Sequence, residues 1–184
     1  AISIIDPRYT LTLLFGLILT SVMHRKHTRL ISSAALLVST AYILLGLKTN
    51  LEAEAWARKD LESKGIAASE IHAFPTIFQL PHRRLLARTL EADYVGFVTM
   101  SEPCEIDWQP QIRYDGPEAG DIRNSPEGQI FEWFTNGMTT AYREGNRLIL
   151  TDLRYGFTTD ARQGNWTLTS LITEAGQLTG PEYV

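Results

Sequence analysis

The residues of this sequence that could bind a metal ion are few and widely spaced. The chain contains four histidines and one cysteine, whereas a protein metal site usually needs three or four converging His, Asp, Glu or Cys side chains. His24 and His27 are three residues apart and could meet in a helical turn. Arg25, Lys26 and Arg29 stand beside them, however, and their positive charge repels a cation. We interpret this stretch as a solvated turn and predict no metal ligand within the chain.

The other residues of these two types also have simple interpretations. His72 and His82 lie in polar or proline-flanked stretches without ligand spacing, and we predict ordinary loop residues there. Cys104 has acidic neighbours, Glu102 and Glu105, which disfavour the thiolate that a nucleophile needs. A plain cysteine is therefore favoured over a reactive one, and a single cysteine excludes an intrachain disulfide.

Several charged residues are spaced for ion pairs. Asp152 and Arg154 are two residues apart, a spacing that puts both on one face of a strand, and we predict a structural pair there. Arg83, Arg84 and Arg88 precede an acidic stretch and are expected to form surface ion pairs with it. Neither group resembles catalytic machinery.

The charge balance excludes one class of partner. Residues 48–184 hold 13 Lys and Arg against 20 Asp and Glu. Phosphate backbones need a concentrated basic face, so nucleic acid is not an expected partner. The sequence also lacks a nucleophile elbow, a phosphate-binding loop and a dinucleotide fingerprint.

Two apolar segments precede this acidic part. Residues 7–23 and 30–47 would form helices of about 26 Å and 27 Å at 1.5 Å per residue, close to the thickness of a bilayer core. Because the connector is short, we predict a transmembrane helical hairpin over 1–47. Asp6 and Pro7 are typical of a helix start, although a carboxylate beside a span is also often functional. Asp6 is therefore the one candidate catalytic residue.

The basic connector at 24–29 also predicts an orientation. Lys and Arg are enriched in cytoplasmic turns, so both ends of the hairpin, and the domain behind it, should lie outside the cytoplasm. The lipid bilayer of an inner (plasma) membrane is thus the expected partner.

Residues 48–64 are rich in Ala, Leu, Glu and Lys and predict a linker helix that continues the second span. Leu51, Ala55 and Leu61 form a partial apolar stripe, and Gly65 is a natural stop. Trp56 suits either a membrane-interface anchor or a contact with the domain that follows.

Residues 65–184 predict a soluble domain of the α+β class, with a small antiparallel sheet, one packed helix and the linker helix. The expected elements are an entry segment at 76–80, a hairpin of 84–92 and 94–100, a surface loop at 102–126, a helix at 127–136, a hairpin of 138–143 and 147–153 around a three-residue turn, a strand at 166–173, and frayed residues from Gln177. One face of the 127–136 helix should carry Ile130, Phe131 and Phe134, with Gly137 as its stop. The predicted core comprises Leu85, Leu90, Val95, Phe97, Phe131, Phe134, Leu148, Leu150, Leu153, Leu168 and Ile172.

Five short motifs, in order, carry a family resemblance. They are ISIIDPRYTL at 2–11, AFPT at 73–76, YVGF at 94–97, Trp133-Phe134, and LTDLRYG at 150–156. In this order they resemble the later part of the bacterial membrane-bound metal-dependent hydrolases, inner-membrane proteins of which some are described as LexA-regulated. The resemblance covers most of the chain, from Ile2 to about Ile172.

The resemblance implies a divalent metal held by His and Asp residues in membrane helices upstream of this segment. No His-x-x-x-Asp, Asp-x-Asp or His-x-x-x-His pattern occurs here. In this interpretation Asp6 would reach that upstream centre from the membrane surface. We therefore expect the C-terminal part of a metal-dependent hydrolase that is inactive alone. The alternative hypothesis is a membrane-anchored interaction or sensor domain without enzymatic activity.

Overall fold

The computed structural model describes residues 6–23, 27–76, 79–101, 105–173, 176–180 and 182–183. The helices are α1 (Pro7–Val22), α2 (Thr28–Ser63), α3 (Pro117–Asn124) and α4 (Pro126–Thr135). The strands are β1 (Glu70–Thr76), β2 (Gln79–Arg88), β3 (Ala92–Thr99), β4 (Gln109–Ile112), β5 (Thr139–Glu144), β6 (Arg147–Asp152), β7 (Thr167–Leu171) and β8 (Glu182–Tyr183). The mixed helix-and-sheet class is confirmed.

The helix α1 begins as its sequence predicts. The Asp6 carboxylate accepts hydrogen bonds from the backbone N–H groups of Arg8 at 3.0 Å and Tyr9 at 3.4 Å, and Pro7 takes the first turn. Helix α1 packs against α2 at Gly16, where a Cβ atom would lie only 2.5 Å from the Cβ of Ala35. A missing side chain here allows the close approach of the two helices.

Of the helices in the described residues, α2 is the one long and apolar enough to cross a membrane. It has 36 residues, and its most apolar window has a mean hydropathy of 2.0. Helix α1 has 16 residues, which is fewer than the about 20 that a membrane-spanning helix usually needs. The transmembrane hairpin over 1–47 therefore stays a prediction, while one apolar helix near the N-terminus is present.

Helix α2 runs without a break through residue 47 into the predicted linker region. Gly65 follows its end with φ +71°, a conformation that favours glycine. The buried stripe consists of Ala53, Ala57 and Leu61, so the predicted stripe is shifted: Leu51 is exposed. Trp56 is half-buried and packs on the core beneath α2, which favours the second of its two interpretations.

The prediction of a single sheet is wrong, because the strands form two antiparallel sheets of four strands each. The first has the order β1-β2-β3-β4 and the second the order β5-β6-β7-β8. The central strand β2 is buried on both faces. Leu85 and Ala87 contribute to the core under α2, whereas Leu86 packs with Val95 and Leu153 in a separate cluster. Alternation along a strand explains this division.

The second sheet carries helices α3 and α4. Ile122 and Phe131 from these helices share a core with Leu148, Leu150 and Leu168 of the sheet. The β5–β6 turn contains two residues, not the predicted three, because Glu144 pairs directly with Arg147.

The predicted surface loop over 102–126 is also wrong, since it contains β4 and α3. Its prolines suggested a loop, yet Pro110 lies in an edge strand and Pro117 in the first turn of a helix. Proline is tolerated in both places, because neither requires its missing N–H.

Other local predictions need correction. His72 and His82 lie in β1 and β2, not in loops. The residues after Gln177 are not all frayed, because Leu178 forms a bridge with Ile172 and β8 pairs with β7. Helix α4 ends at Thr135 and is followed by Asn136 and Gly137, both at positive φ, so the predicted stop at Gly137 is close to the observed one.

The predicted burial of two core residues, Leu90 and Phe134, and the predicted buried face of α4 are also wrong. Leu90 is 96% exposed at the β2–β3 turn. Phe134 and Ile130 are exposed on α4, whose buried face carries Gly128, Phe131 and Thr135. Phe97 is half-buried, and the remaining predicted core residues are buried.

Candidate functional site

Two neighbouring arginines on β2 are buried on opposite faces of the first sheet. Arg83 has no exposed surface and Arg84 is 2% exposed, so their predicted role in surface ion pairs is wrong. Arg83 donates through Nε to the side-chain oxygen of Asn50, and through Nη2 to the carbonyl of Gly46 at 3.5 Å. Asn50 in turn donates to the carbonyl of Ala73 at 3.0 Å. This set of bonds joins α2 to the β1–β2 hairpin.

Arg84 points the other way, toward the segment that follows β6. Its Nε donates to the carbonyl of Leu153 at 2.8 Å, and its Nη1 donates to the carbonyls of Gly156 and Thr158. The guanidinium also lies 5.4 Å from the ring centroid of Phe97. Among the described carboxylates, none forms an ion pair with Arg84 within 4 Å.

The burial of Arg84 changes its acid–base behaviour. Desolvation lowers the pKa of Arg84 to about 10, and the nearby charge of Asp152 acts in the opposite direction. At neutral pH the guanidinium is still protonated. A buried positive charge without an adjacent carboxylate is energetically costly, and a bound anion would relieve that cost.

Arg154 lies beside Arg84 and does have a carboxylate partner. Its Nη2 is 2.8 Å and its Nε 3.0 Å from the oxygens of the buried Asp152, so the predicted pair is confirmed. The predicted shared strand face is wrong, because β6 ends at Asp152 and Arg154 follows it. The backbone N–H of Arg154 donates to the same carboxylate at 2.8 Å. The guanidinium lies between the rings of Phe134 and Tyr155, at 5.1 Å and 5.2 Å from their centroids.

These two arginines line a cleft of about 340 Å³ between the β1–β2 hairpin and the segment after β6. Its wall combines aromatic rings with basic and amide groups, and no carboxylate lines it among the described residues. The lining residues are Pro75, Thr76, His82, Arg84, Phe97, Arg154, Tyr155, Gly156, Phe157 and Asn165. Ligand clefts often have this composition, apolar walls with a few polar groups.

Three nitrogen atoms along this cleft retain hydrogen-bonding capacity. Within the described part of the chain, no acceptor contacts Nη2 of Arg84 or Nη1 of Arg154. His82 contacts the hydroxyl of Thr99 through Nδ1 at 2.8 Å, which leaves its Nε2 without a partner in the same set of residues. The cleft can therefore bind the oxygens of an anionic group.

A third arginine of β2, Arg88, belongs to a different arrangement. Arg88 and Arg113 both contact the carboxylate of Asp93, which has no exposed surface, with N–O distances of 2.8 Å each. Arg88 also donates to the carbonyl of Gly137 at 3.0 Å, and Arg113 to that of Thr89 at 2.9 Å. This cluster joins β2 and β3 to the segments after β4 and α4, a structural role.

The candidate catalytic residue Asp6 lies at the start of α1 and is not among the residues that line this cleft. Besides capping the helix, its second oxygen accepts a hydrogen bond from the hydroxyl of Tyr42 at 2.8 Å. In the described residues no group of three His, Cys, Asp or Glu side chains could hold a metal ion. The basic residues 24–26, Cys104 and residues 2–5 of the family motif lie outside the described residues.

Comparison with known protein families, curated proteins and solved structures finds no match. The site was missed at the sequence level because Arg83 and Arg84 looked like exposed charges. One signal was available: the stretch Leu85-Leu86-Ala87 has no polar face, so the strand that contains it must be covered on both sides.

Proposed function

We propose that this chain is the C-terminal, membrane-anchored part of a metal-dependent hydrolase, and that its cleft holds an anionic group of the substrate near the membrane surface. The hydrolase assignment rests on the family resemblance. The ligand-binding role rests on the cleft formed by Arg84 and Arg154. In this proposal the domain positions substrate and leaves the chemistry to residues upstream.

The observation that supports a membrane-surface role most strongly is the contact between Arg83 and the carbonyl of Gly46. Gly46 lies at the end of the apolar stretch of α2, and Arg83 lies between two cleft residues, His82 and Arg84. The cleft therefore lies at the end of the domain that faces the proposed span. Because α2 is continuous and Arg83 joins it to β2, the same helix would connect the cleft to the proposed span.

The proposed anchor consists of α1 and α2 as a spanning hairpin in the inner membrane. The apolar side chains of both helices are largely exposed, as expected of side chains that contact lipid, and Gly16 allows the helices to pack closely. Helix α1 is short for a span, so Arg8 would extend to the headgroup region. The domain would then lie outside the cytoplasm.

A divalent metal is implied by the resemblance, but the described residues do not fit one, since they offer no cluster of three ligands. No reaction step is therefore assigned to residues of this chain. Asp6 remains the candidate that could contribute from the start of α1, where its carboxylate is already used by the helix cap and Tyr42.

The proposed orientation can be tested with reporter fusions. Fusions after Gly65 and after Gln177 are both expected to be active with an extracytoplasmic reporter and inactive with a cytoplasmic one. A matched fusion within the connector at 24–29 should give the reverse pattern. Activity of the cytoplasmic reporter at either of the first two positions contradicts the orientation.

The hydrolase proposal can be tested on the protein extended upstream of Ala1. We expect the extended protein to retain divalent metal after purification and to lose hydrolytic activity on chelation, whereas the 184-residue chain retains none. Stoichiometric metal in the 184-residue chain contradicts the proposal. So does an upstream region without His and Asp residues in apolar helices.

The second candidate is a membrane-anchored binding or sensor module without catalysis. It is favoured by one observation, that the cleft has unused donors but no serine, cysteine or paired carboxylates among its lining residues. An upstream region without metal ligands, together with ligand binding in the cleft, would select this candidate.

A further inference from the structure

We infer that the cleft between Arg84 and Arg154 is a binding site for a phosphodiester group with a single negative charge. This inference rests on the ligand-binding part of the proposed function and specifies its ligand. It does not depend on the hydrolase assignment.

The charge of the site favours a monoanion. Arg154 is neutralised by Asp152, with which it makes two-point contact, and Arg84 has no such partner among the described residues. Because no carboxylate lines the cleft among the described residues, the charge of Arg84 is the one that stays uncompensated. A singly charged group would neutralise it, whereas a doubly charged one would leave a buried negative charge.

The available donors suit the oxygens of a phosphate group. Arg84 Nη2, Arg154 Nη1 and His82 Nε2 belong to three separate side chains that line one cavity. Guanidinium groups bind phosphate through directed, charge-assisted hydrogen bonds. Arg84 is itself held rigidly by three backbone carbonyls, so its remaining donor is preorganised.

The surroundings of the cleft indicate where such a group would come from. The cleft lies at the end of the domain near Gly46, where the phosphodiesters of lipid headgroups would be found. Exposed aromatic side chains lie around it: Phe157 lines it, and Phe134, which contacts Arg154, stacks edge-on with Trp166 at 6.2 Å. Aromatic residues of this kind are enriched at the headgroup level of membranes.

The test uses the full chain in dodecyl maltoside, a detergent without phosphate, and calorimetric titration in the presence of EDTA. The probes are glycerophosphoglycerol and its dihexanoyl lipid, both monoanionic phosphodiesters. Arg84→Lys keeps the charge but loses the free Nη2 donor, and it is expected to weaken binding about tenfold. Since EDTA removes any metal, failure of the hydrolase proposal would not affect this result.

A second variant changes an exposed residue and leaves both arginines intact. Asn165 is exposed and lines the cleft, so Asn165→Asp adds a negative charge there without changing side-chain size. This variant should weaken both probes about fivefold. Asn124→Asp makes the same change at an exposed position outside the cleft and should leave both affinities unchanged.

Each outcome tests either the inference itself or the source of the phosphodiester group. Tighter binding of the lipid than of glycerophosphoglycerol, by about tenfold, supports a lipid headgroup, and equal binding supports a soluble phosphodiester. The inference is overturned if neither probe binds, if acetate binds as tightly as either, or if Asn165→Asp and Asn124→Asp behave alike.

Discussion

Arg83 and Arg84 are adjacent in sequence and both buried, yet their side chains contact two different regions of the molecule. On the α2 side, Arg83 bonds to a side-chain amide and to a helix carbonyl, and it is not among the residues that line the cleft. On the other side, Arg84 bonds to three loop carbonyls and lines an open cleft.

The difference shows that burial of a charge does not by itself identify a site. Arg83 connects the helix to the sheet through these contacts. Arg84 has a donor left over and space in front of it. Spare hydrogen-bonding capacity beside a cavity, rather than burial or charge, distinguishes the arginine that we propose to bind a ligand from the one that joins helix and sheet.

The largest expected effect concerns Arg88, a half-buried arginine on the cleft side whose charge is paired with the buried Asp93. Asp93→Ala removes the carboxylate shared by Arg88 and Arg113 and leaves two partly buried cations without it. We expect the free energy of unfolding to fall by about 3–5 kcal/mol, measured by urea titration with tryptophan fluorescence.

The control for this prediction is Asp107→Ala, at an exposed position of the same domain. It should change the free energy of unfolding by no more than about 0.5 kcal/mol. Equal effects of the two substitutions would show that the Asp93 cluster contributes no more than a surface charge does.

A smaller loss of stability is expected on the α2 side. Arg83→Met keeps an apolar stem but removes the donor to the buried oxygen of Asn50. We expect a loss of about 1–3 kcal/mol in the free energy of unfolding, with phosphodiester affinity unchanged. Arg147→Met, at an exposed strand end, is the matched control. If Arg83→Met weakened ligand binding as strongly as Arg84→Lys, the proposed division between the two faces would be wrong.

The smallest effect concerns pH and the far end of α2. Burial raises the pKa of Asp60, but hydrogen bonds from Lys64 at 2.9 Å and Trp108 at 2.8 Å outweigh it, so the pKa lies below its ordinary value of 3.8. A carboxyl with a lowered folded-state pKa stabilises the fold above its unfolded pKa, and this stability is lost as pH falls through the folded value.

Comparison of the chain with its Asp60→Asn variant isolates that contribution. The two should differ by about 1 kcal/mol or less in the free energy of unfolding at pH 6, and the difference should shrink as the pH falls below 3.8. Tryptophan fluorescence reports the transition, since Trp108 contacts Asp60. A difference that grows toward acidic pH would contradict the assigned direction of the pKa change.

Much of the local structure could be predicted from the sequence. Asp6 with Pro7 begins α1, Gly137 follows the end of α4, and the stretch around Gly145 forms a hairpin, because caps and turns depend on backbone conformations that a few residue types prefer. The apolar stretch of α2 was recognisable for a similar reason, since length and hydropathy are properties of a continuous segment.

The tertiary structure alone decided what covers each face. Whether Arg83 and Arg84 are exposed depends on α2 lying on one side of β2 and the segment after β6 on the other. These contacts join parts of the chain 37 and 69 residues apart. The alternation of side chains in a strand predicts that neighbouring residues point to opposite faces of the sheet. It does not predict which segments pack against each face. The sequence by itself thus determined local features such as the start of α1, the stop after α4 and the turn at Gly145. The cleft, whose donors have no acceptor among the described residues, exists only because distant segments come together around one strand.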